Sequence, residues 1–399
     1  MIPASMFKRI DLLLCGIVVV LTLFGLAMIA SVSVFESYQL TQRLAVQGLR
    51  SDPSNSFYLW RSFRHILIGL LAMGGTTIIP YRLWERLALP LFALSFLLLC
   101  AVFIPGLRAD YGTAYNWLRI GFISLQPSEL VKLTLIFYLS VWLQKREQLI
   151  STFKEGFVPF AILLFLGTIL IAFQPDLGSF LVILSIAVIM FFIAGGNPFH
   201  MLLGGGLVSV MGLPIILSQG YVRNRFVAFL HPNDPSIAET IGFQVKQALI
   251  AIGSGGVFGV GYGKSVQKFG YLPEVQADTI FAAMSEELGF LRLIIILTMY
   301  SVFVIRGYKI AREAPDRFGF MVATGITTWI ACQTLLNIAV NLSLFPITGI
   351  TLPFISYGGS SLIVLLAGSG ILLNISMHST EAASAARRSP RRALALFGT

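Results

Sequence analysis

Residues 10–34 read IDLLLCGIVVVLTLFGLAMIASVSV, an apolar run with one charged side chain, Asp11, close to its start. About 20 such residues carry a helix across the hydrocarbon core of a bilayer. Moving outward along the chain, runs of the same character recur at 63–79, 83–104, 130–143, 157–173, 179–194, 201–217, 279–305, 318–340 and 361–377. Together they predict an all-α integral membrane protein with about ten transmembrane helices. Several runs are short and are expected to extend into flanking polar positions or to tilt. Composition leads to the same class. Apolar residues make up 56% of the chain and charged ones 12%, with a mean hydropathy of +0.83, whereas a soluble domain carries about a quarter charged residues. The first run is too long for a cleavable signal peptide and lacks a small-residue cleavage site.

A formal net charge of +10 raises nucleic acid as a partner, but the 28 Lys and Arg lie in short clusters between apolar runs. Topology explains them better, and no nucleic acid is expected. With the N-terminus inside, 15 basic residues fall on inner segments, including Lys8, Arg9, Arg82, Arg86, Arg312 and Arg317, against 12 outside. Five of the outer ones share a single long loop, which the positive-inside rule discounts. Both termini are therefore expected to be cytoplasmic. Cys15, Cys100 and Cys332 all sit inside apolar runs without metal or redox spacing, and read as small hydrophobes.

Residues 1–379 are expected to form a single polytopic domain, and the basic, core-less tail 380–399 is predicted to be disordered. Two large outer connections stand out, 35–62 and 219–278. The second, between helices 7 and 8, is too long to be structureless. Its middle, 242–263, alternates apolar residues with glycine and predicts an amphipathic or re-entrant helix at the interface.

Ionisable groups at a membrane boundary are expensive and mark function. One outer boundary collects Glu129 and Lys132, then Asp176, then Asp278, with Glu286 and Glu287 further along the helix that follows Asp278. They predict a polar cavity opening outward with carboxylates on its walls. Each has a simpler reading as well: Glu129 and Lys132 as a local i,i+3 ion pair, and Asp176 and Asp278 as helix caps. Basic residues of the long loop, Arg223, Arg225, Lys246, Lys264 and Lys268, suit phosphate oxygens, either on a diphosphate lipid or on anionic membrane lipids. The glycine-rich run before Gly263-Lys264-Ser265 is no phosphate loop, because Phe258 stands where that motif needs glycine. Its glycines instead permit tight turns and close backbone approach. No sequence pattern for zinc hydrolysis or triad chemistry is found.

Several stretches, taken in order, resemble the SEDS family of bacterial membrane proteins, whose FtsW and RodA branches serve division and rod-shape elongation. They are WLRIGFISLQPSELVK at 117–132, QPDLG at 174–178, the segment from Gln244 to Gly256, QKFGYLPE at 267–274, DTIF at 278–281, EELG at 286–289 and TGITLPFISYGGSS at 348–361. The phrase LNIAVN at 336–341 and the QKFGYLPE run are closer to the division branch. The resemblance implies a multi-pass glycosyltransferase of the bacterial cytoplasmic membrane. It would polymerise lipid II, the undecaprenyl-diphosphate-linked disaccharide peptide, alongside a monofunctional class B penicillin-binding protein and other divisome proteins. It also implies a catalytic aspartate at Asp278, and substrate-binding roles for Trp117, Arg119, Glu129, Lys132, Asp176, Arg223, Arg225, Gln244, Lys268 and Ser356. The chain departs from the family pattern at Asn116, where a basic residue is usual, and at Gln276-Ala277 in place of His-Thr.

The reaction so implied needs a carboxylate to take a hydroxyl proton or to hold a metal, and cations to receive a developing diphosphate charge. Asp278 is assigned to the first need, with a divalent Mg or Mn ion favoured by carboxylate and phosphate oxygens. Lys132, Arg223 and Arg225 are assigned to the second. Two rivals remain. A lipid flippase or transporter would place its charges near the midplane in repeated halves, and no repeat is evident. A non-catalytic scaffold would leave the outer carboxylates unexplained.

Overall fold

The computed structural model describes residues 10–49, 51–108, 116–120, 123–206 and 220–388. Its longer helices are α1 (Leu12–Val32), α2 (Val34–Val46), α3 (Phe57–Ile78), α4 (Arg82–Ala101), α5 (Pro127–Lys145), α6 (Val158–Phe173), α7 (Leu177–Ile193), α8 (Gly220–Leu230), α9 (Ile241–Gly255), α10 (Ile280–Arg312), α11 (Arg317–Asn341) and α12 (Gly359–Arg388). A short antiparallel hairpin, β1 (Leu118–Ile120) and β2 (Ile123–Leu125), precedes α5 and pairs Arg119 with Ser124. Among the described residues, six helices are long and apolar enough to cross a membrane, and α7 is a shorter apolar one. The predicted runs coincide with helices, except that only 201–206 of the run at 201–217 falls among the described residues, where it is helical.

The connection between α1 and α3 holds a helix of its own, α2, whose half-polar sequence gave no apolar run to detect. Helix α12 continues to Arg388. Residues 389–399 lie outside the described residues.

At one end of the bundle, Asp11 caps α1 through Leu14 N (3.0 Å) and receives Arg306 Nε and Nη2 at 2.9 and 2.6 Å. Beside it, Asp316 caps α11 at Gly319 N (2.8 Å) and accepts from the Tyr81 hydroxyl (2.6 Å). The candidate carboxylates gather at the opposite end. Between the ends, α11 and α12 form the centre, mostly buried, and α4 the periphery, mostly uncovered. The centre is close-packed because small residues let backbones approach. Thr76 Oγ1 donates across to Ala367 O (2.9 Å), and a Cβ on Gly25 would sit 2.6 Å from the Ile355 Cα.

Helix α10 is interrupted at Gly289, whose φ of 73° is open only to glycine without strain. A broken helix inside a membrane needs its freed main-chain groups paired. The chain just after α9 supplies them: Val260 N and Gly261 N donate to Glu286 O and Glu287 O at 2.9 and 3.0 Å, and Gly256 O and Val257 O accept from Phe290 N and Leu291 N at 2.9 and 3.1 Å. Arg292 adds a donor to Phe258 O (2.7 Å). The glycines of this run thus serve backbone-to-backbone approach, as read from the sequence. The middle of the long connection is helical, α9, with Val245, Ala248 and Ala251 buried and Leu249 and Ile250 exposed.

Candidate active site

Asp278 lies two residues before α10 and is 9% exposed. The first amides of α10, Ala282 N and Ala283 N, bond to Thr279 O, so Asp278 stands just outside the helix. Its main-chain oxygen is taken by two side chains of α11, Asn337 and Asn341, each at 2.9 Å. Its carboxylate Oδ1 is buried with no hydrogen-bond partner. Burial pushes this carboxyl up to about 7, the charge of Glu274 adds to the shift, and Arg225 opposes it. A carboxylate poised near neutral pH is suited to proton transfer.

Arg225 comes from α8. Its Nη1 donates to Ile347 O (2.9 Å), its guanidinium carbon lies 4.2 Å from the Tyr221 ring centroid, and Nη2 meets the Tyr221 hydroxyl. Tyr221 is within electrostatic reach of Arg225, Asp176 and Asp278 together. Asp176 does cap its helix, accepting from Ser179 N (2.9 Å), but its other oxygen also gathers Gln126 Nε2 (3.1 Å), Ser128 Oγ (3.2 Å) and Asn116 Nδ2 (3.4 Å). Asn116, the departure from the family pattern, therefore binds Asp176 directly. Gly178, two residues on, faces Thr348 O and Ile350, where a Cβ would approach to 3.0 and 3.1 Å. The 347–350 segment thus lies between the Asp176 turn, Arg225 and Asp278.

Lys132 is fully buried. Its ammonium donates to Glu129 Oε1 (2.7 Å) and Gln333 Oε1 (3.2 Å) and lies 5.6 Å from the Trp329 ring centroid. The local ion pair anticipated for i,i+3 is formed, yet Glu129 Oε2 remains buried without a partner. The unpartnered buried oxygens of Asn116, Glu129, Gln276, Asp278 and Thr348 all belong to segments that build this end of the bundle. Such atoms call for hydroxyl, water or cation partners.

Other predicted residues are placed elsewhere. Arg223 is exposed while Arg225 is half-buried, since two residues apart on a helix point about 200° apart. Lys268 does not face the group: its ammonium is buried against Glu287 Oε1 (3.1 Å), Gly263 O (2.6 Å) and Ser31 Oγ (3.3 Å). Glu286 and Glu287 likewise line no open cavity. Glu286 accepts from Ser265 Oγ (2.5 Å) and Val266 N (3.0 Å), and Glu287 from Ser31 Oγ (2.7 Å). Ser356 closes a turn, accepting from Leu352 N (2.8 Å). Trp117 and Gln244 are half-buried and Arg119 is exposed on β1. Sequence reasoning missed Tyr221, Gln333, Asn337, Asn341 and Thr348. Only the asparagines left a signal, the polar i,i+4 spacing of LNIAVN inside an apolar run.

Fold and site together define a polytopic helical membrane protein with a buried, acceptor-rich carboxylate site at one end of its bundle. The chain belongs to the FtsW/RodA/SpoVE family of cell cycle proteins, whose sequence profile matches residues 11–381. It is 40% identical to stage V sporulation protein E of Bacillus subtilis (strain 168) over 371 residues, 92% of this chain and 97% of that protein. It is 37% identical to a probable peptidoglycan glycosyltransferase FtsW of Geobacter sp. (strain M18) over 375 residues, 94% and 98% of the two chains. Among solved structures it resembles a chain of a peptidoglycan synthase complex, with a TM-score of 0.74 and 26% identity over 93% of this chain and 98% of that one. It also resembles the rod shape determining protein RodA of Thermus thermophilus, with a TM-score of 0.65 and 26% identity over 92% and 96%.

Proposed function

We propose that this chain is a peptidoglycan glycosyltransferase that polymerises lipid II on the outer face of the bacterial cytoplasmic membrane, with Asp278 as its base and septal synthesis as its setting. The observation that carries the reading is the Asp278 carboxylate itself, buried, with one oxygen unpartnered and Arg225 in electrostatic reach. The acceptor sugar hydroxyl attacks the anomeric carbon of the donor. A new C–O bond forms, the bond to the lipid diphosphate breaks, and the hydroxyl proton passes to Asp278. Arg225 meets the charge that develops on the leaving diphosphate. Lys132, already paired with Glu129, acts behind it as part of the wall. Trp117, Arg119 and Gln244 lie on the hairpin and on α9, the segments flanking this end, where the lipid-linked sugars would be held.

The orphaned Asp278 oxygen also fits a hard divalent cation, Mg or Mn. No group of three or more His, Cys, Asp or Glu ligands exists among the described residues, so diphosphate oxygens would complete its shell. When bound, such an ion supplies positive charge to the departing diphosphate.

The similarity to a chain of a peptidoglycan synthase complex supports a second subunit, a class B penicillin-binding protein acting as transpeptidase, with other divisome proteins around the pair. The reading places Asp278 outside and both termini inside. In a cysteine-free background, an impermeant thiol reagent applied to sealed cells should then label Ser236→Cys and spare Glu313→Cys; equal labelling overturns the orientation. The decisive experiment for function uses Asp278→Asn. Asn keeps the size of the side chain and can still flank a helix, but takes no proton at neutral pH. Purified with its partner and given lipid II, it should lose about 100-fold or more in polymerisation while inserting normally. Parental activity would remove Asp278 from the chemistry.

A further inference from the structure

Helix α11 presents three carboxamides at a spacing of four residues, Gln333, Asn337 and Asn341, and all are buried, at 0%, 1% and 2% exposed. That spacing puts them on one stripe of the helix. Each grips main-chain carbonyls of the two loops that build the site. Gln333 Nε2 donates to Thr351 O (3.0 Å). Asn337 Nδ2 donates to Ile350 O (2.7 Å) and to Asp278 O (2.9 Å). Asn341 Nδ2 donates to Asp278 O (2.9 Å) and to Asn337 O (2.9 Å).

The amide orientations are forced by what they face, because a carbonyl oxygen turned toward another carbonyl would repel it. An NH2 group carries two hydrogens, and on Asn337 and Asn341 both are committed to main-chain oxygens. The Asp278 carbonyl receives two donors in return, which fills both its lone pairs. A residue just outside a helix would ordinarily be free to pivot about its neighbouring dihedrals. Here the peptide that carries the Asp278 side chain is fixed from across the bundle. The same Asn337 group holds Ile350 O, and three residues earlier Ile347 O holds Arg225. One stripe of α11 thereby fixes the base and the loop that seats the cation relative to each other.

We infer that Asn337 and Asn341 are positioning residues, which hold Asp278 by its main-chain oxygen in register with the 347–350 loop and so with Arg225. This rests on the reading of Asp278 as the base. A misplacement of about 1 Å at a reacting centre can lower the rate about 100-fold, whereas a bland core role would affect folding alone.

The test replaces donors without changing size: Asn337→Leu, Asn341→Leu and the pair together, each assayed with its transpeptidase partner on lipid II beside Asp278→Asn. Turnover per folded molecule should fall about tenfold or more in each single variant, with KM for lipid II within about twofold of the parent. The pair should lose less than the product of the single losses, since both donors act on one atom. Asn337→Asp, which keeps the shape but offers acceptors to two carbonyls, should lose more than Asn337→Leu. Parental turnover in folded Asn337→Leu or Asn341→Leu, with only a lowered melting temperature, overturns the inference. Should Asn337→Leu not fold, Asn341→Leu decides, because it leaves Asn337 bridging the two loops. An inactive Asp278→Asn beside fully active asparagine variants would refute the positioning role alone, and an active Asp278→Asn would refute the base itself.

Discussion

Two acidic groups near the start of α10, Asp278 just before it and Glu286 with Glu287 within it, meet opposite surroundings. At Glu286 and Glu287 the carboxylates are saturated by Ser265 Oγ, Val266 N, Ser31 Oγ and Lys268 Nζ. At Asp278 the carboxylate keeps an unpartnered oxygen, and the protein's grip falls on its main chain. Satisfied buried charges rigidify a fold, and unsatisfied ones are retained for something that arrives later. The first group fastens the 263–268 loop to α10 and α1, so that the segment leading to Asp278 starts from a fixed point. The second is left open.

Breaking the saturated group should therefore give the largest loss of stability and little specific effect on chemistry. Glu287→Leu strands the Lys268 ammonium, which is 4% exposed, and removing one partner of a buried pair destabilises by about 3–5 kcal/mol. The expected outcome is a marked drop in the thermal midpoint of the detergent-solubilised protein. Adding Lys268→Met should recover much of it, because the stranded charge is gone. A Glu287→Leu protein that melts like the parent would erase the distinction between the two groups.

The extent to which this was legible in sequence follows from what each interaction requires. A membrane span must be a long apolar run, so α1, α10, α11 and α12 announce themselves, and the carboxylates at the helix ends stand out because so few charges occur near them. The partner of a buried charge leaves no local trace. Lys268 read as a phosphate ligand because Ser31 and Glu287, its actual neighbours, are 237 and 19 residues away. Arg223 and Arg225 read alike until α8 gave them opposite directions. The break at Gly289 is invisible for the same reason: it is stable only because residues 256–261 supply its missing partners. The asparagines of LNIAVN were visible as polar residues in an apolar helix, but their target, a carbonyl 59 and 63 residues away, was not.

The direction of α8 sharpens the comparison on the open side. Arg225→Ala removes a cation in electrostatic reach of Asp278 and its bond to Ile347 O. A charge-assisted hydrogen bond contributes roughly 1.5–3 kcal/mol, so lipid II turnover should fall about tenfold or more. Arg223→Ala, on the exposed side, should stay within about twofold under the same assay. Equal losses from the two substitutions would mean that α8 binds substrate along its outer face and that the site has been drawn on the wrong side of it.

The smallest effect is a displacement in pH. Asp278 is pushed up to about 7, first by burial and then by the charge of Glu274, with Arg225 pulling the other way. Tyr221 is also in reach, and it is neutral over this range. A base must be ionised to accept a proton, so turnover at saturating lipid II should rise with pH through about 7 and then level off. The stability linkage has the opposite sign: a carboxyl raised above its unfolded value stabilises the fold at low pH, and that contribution is lost as pH rises through about 7. A rate that rises where stability falls cannot come from better folding. Glu274→Gln removes a negative charge that favours the protonated form, so the acid limb should move to lower pH, and the plateau should keep its height. Arg225→Met should move the limb to higher pH. Substrate ionisation is common to all three proteins and cannot produce opposite displacements. If the limb stays fixed in both variants, the group that titrates is not Asp278, and its open oxygen serves binding instead of proton transfer.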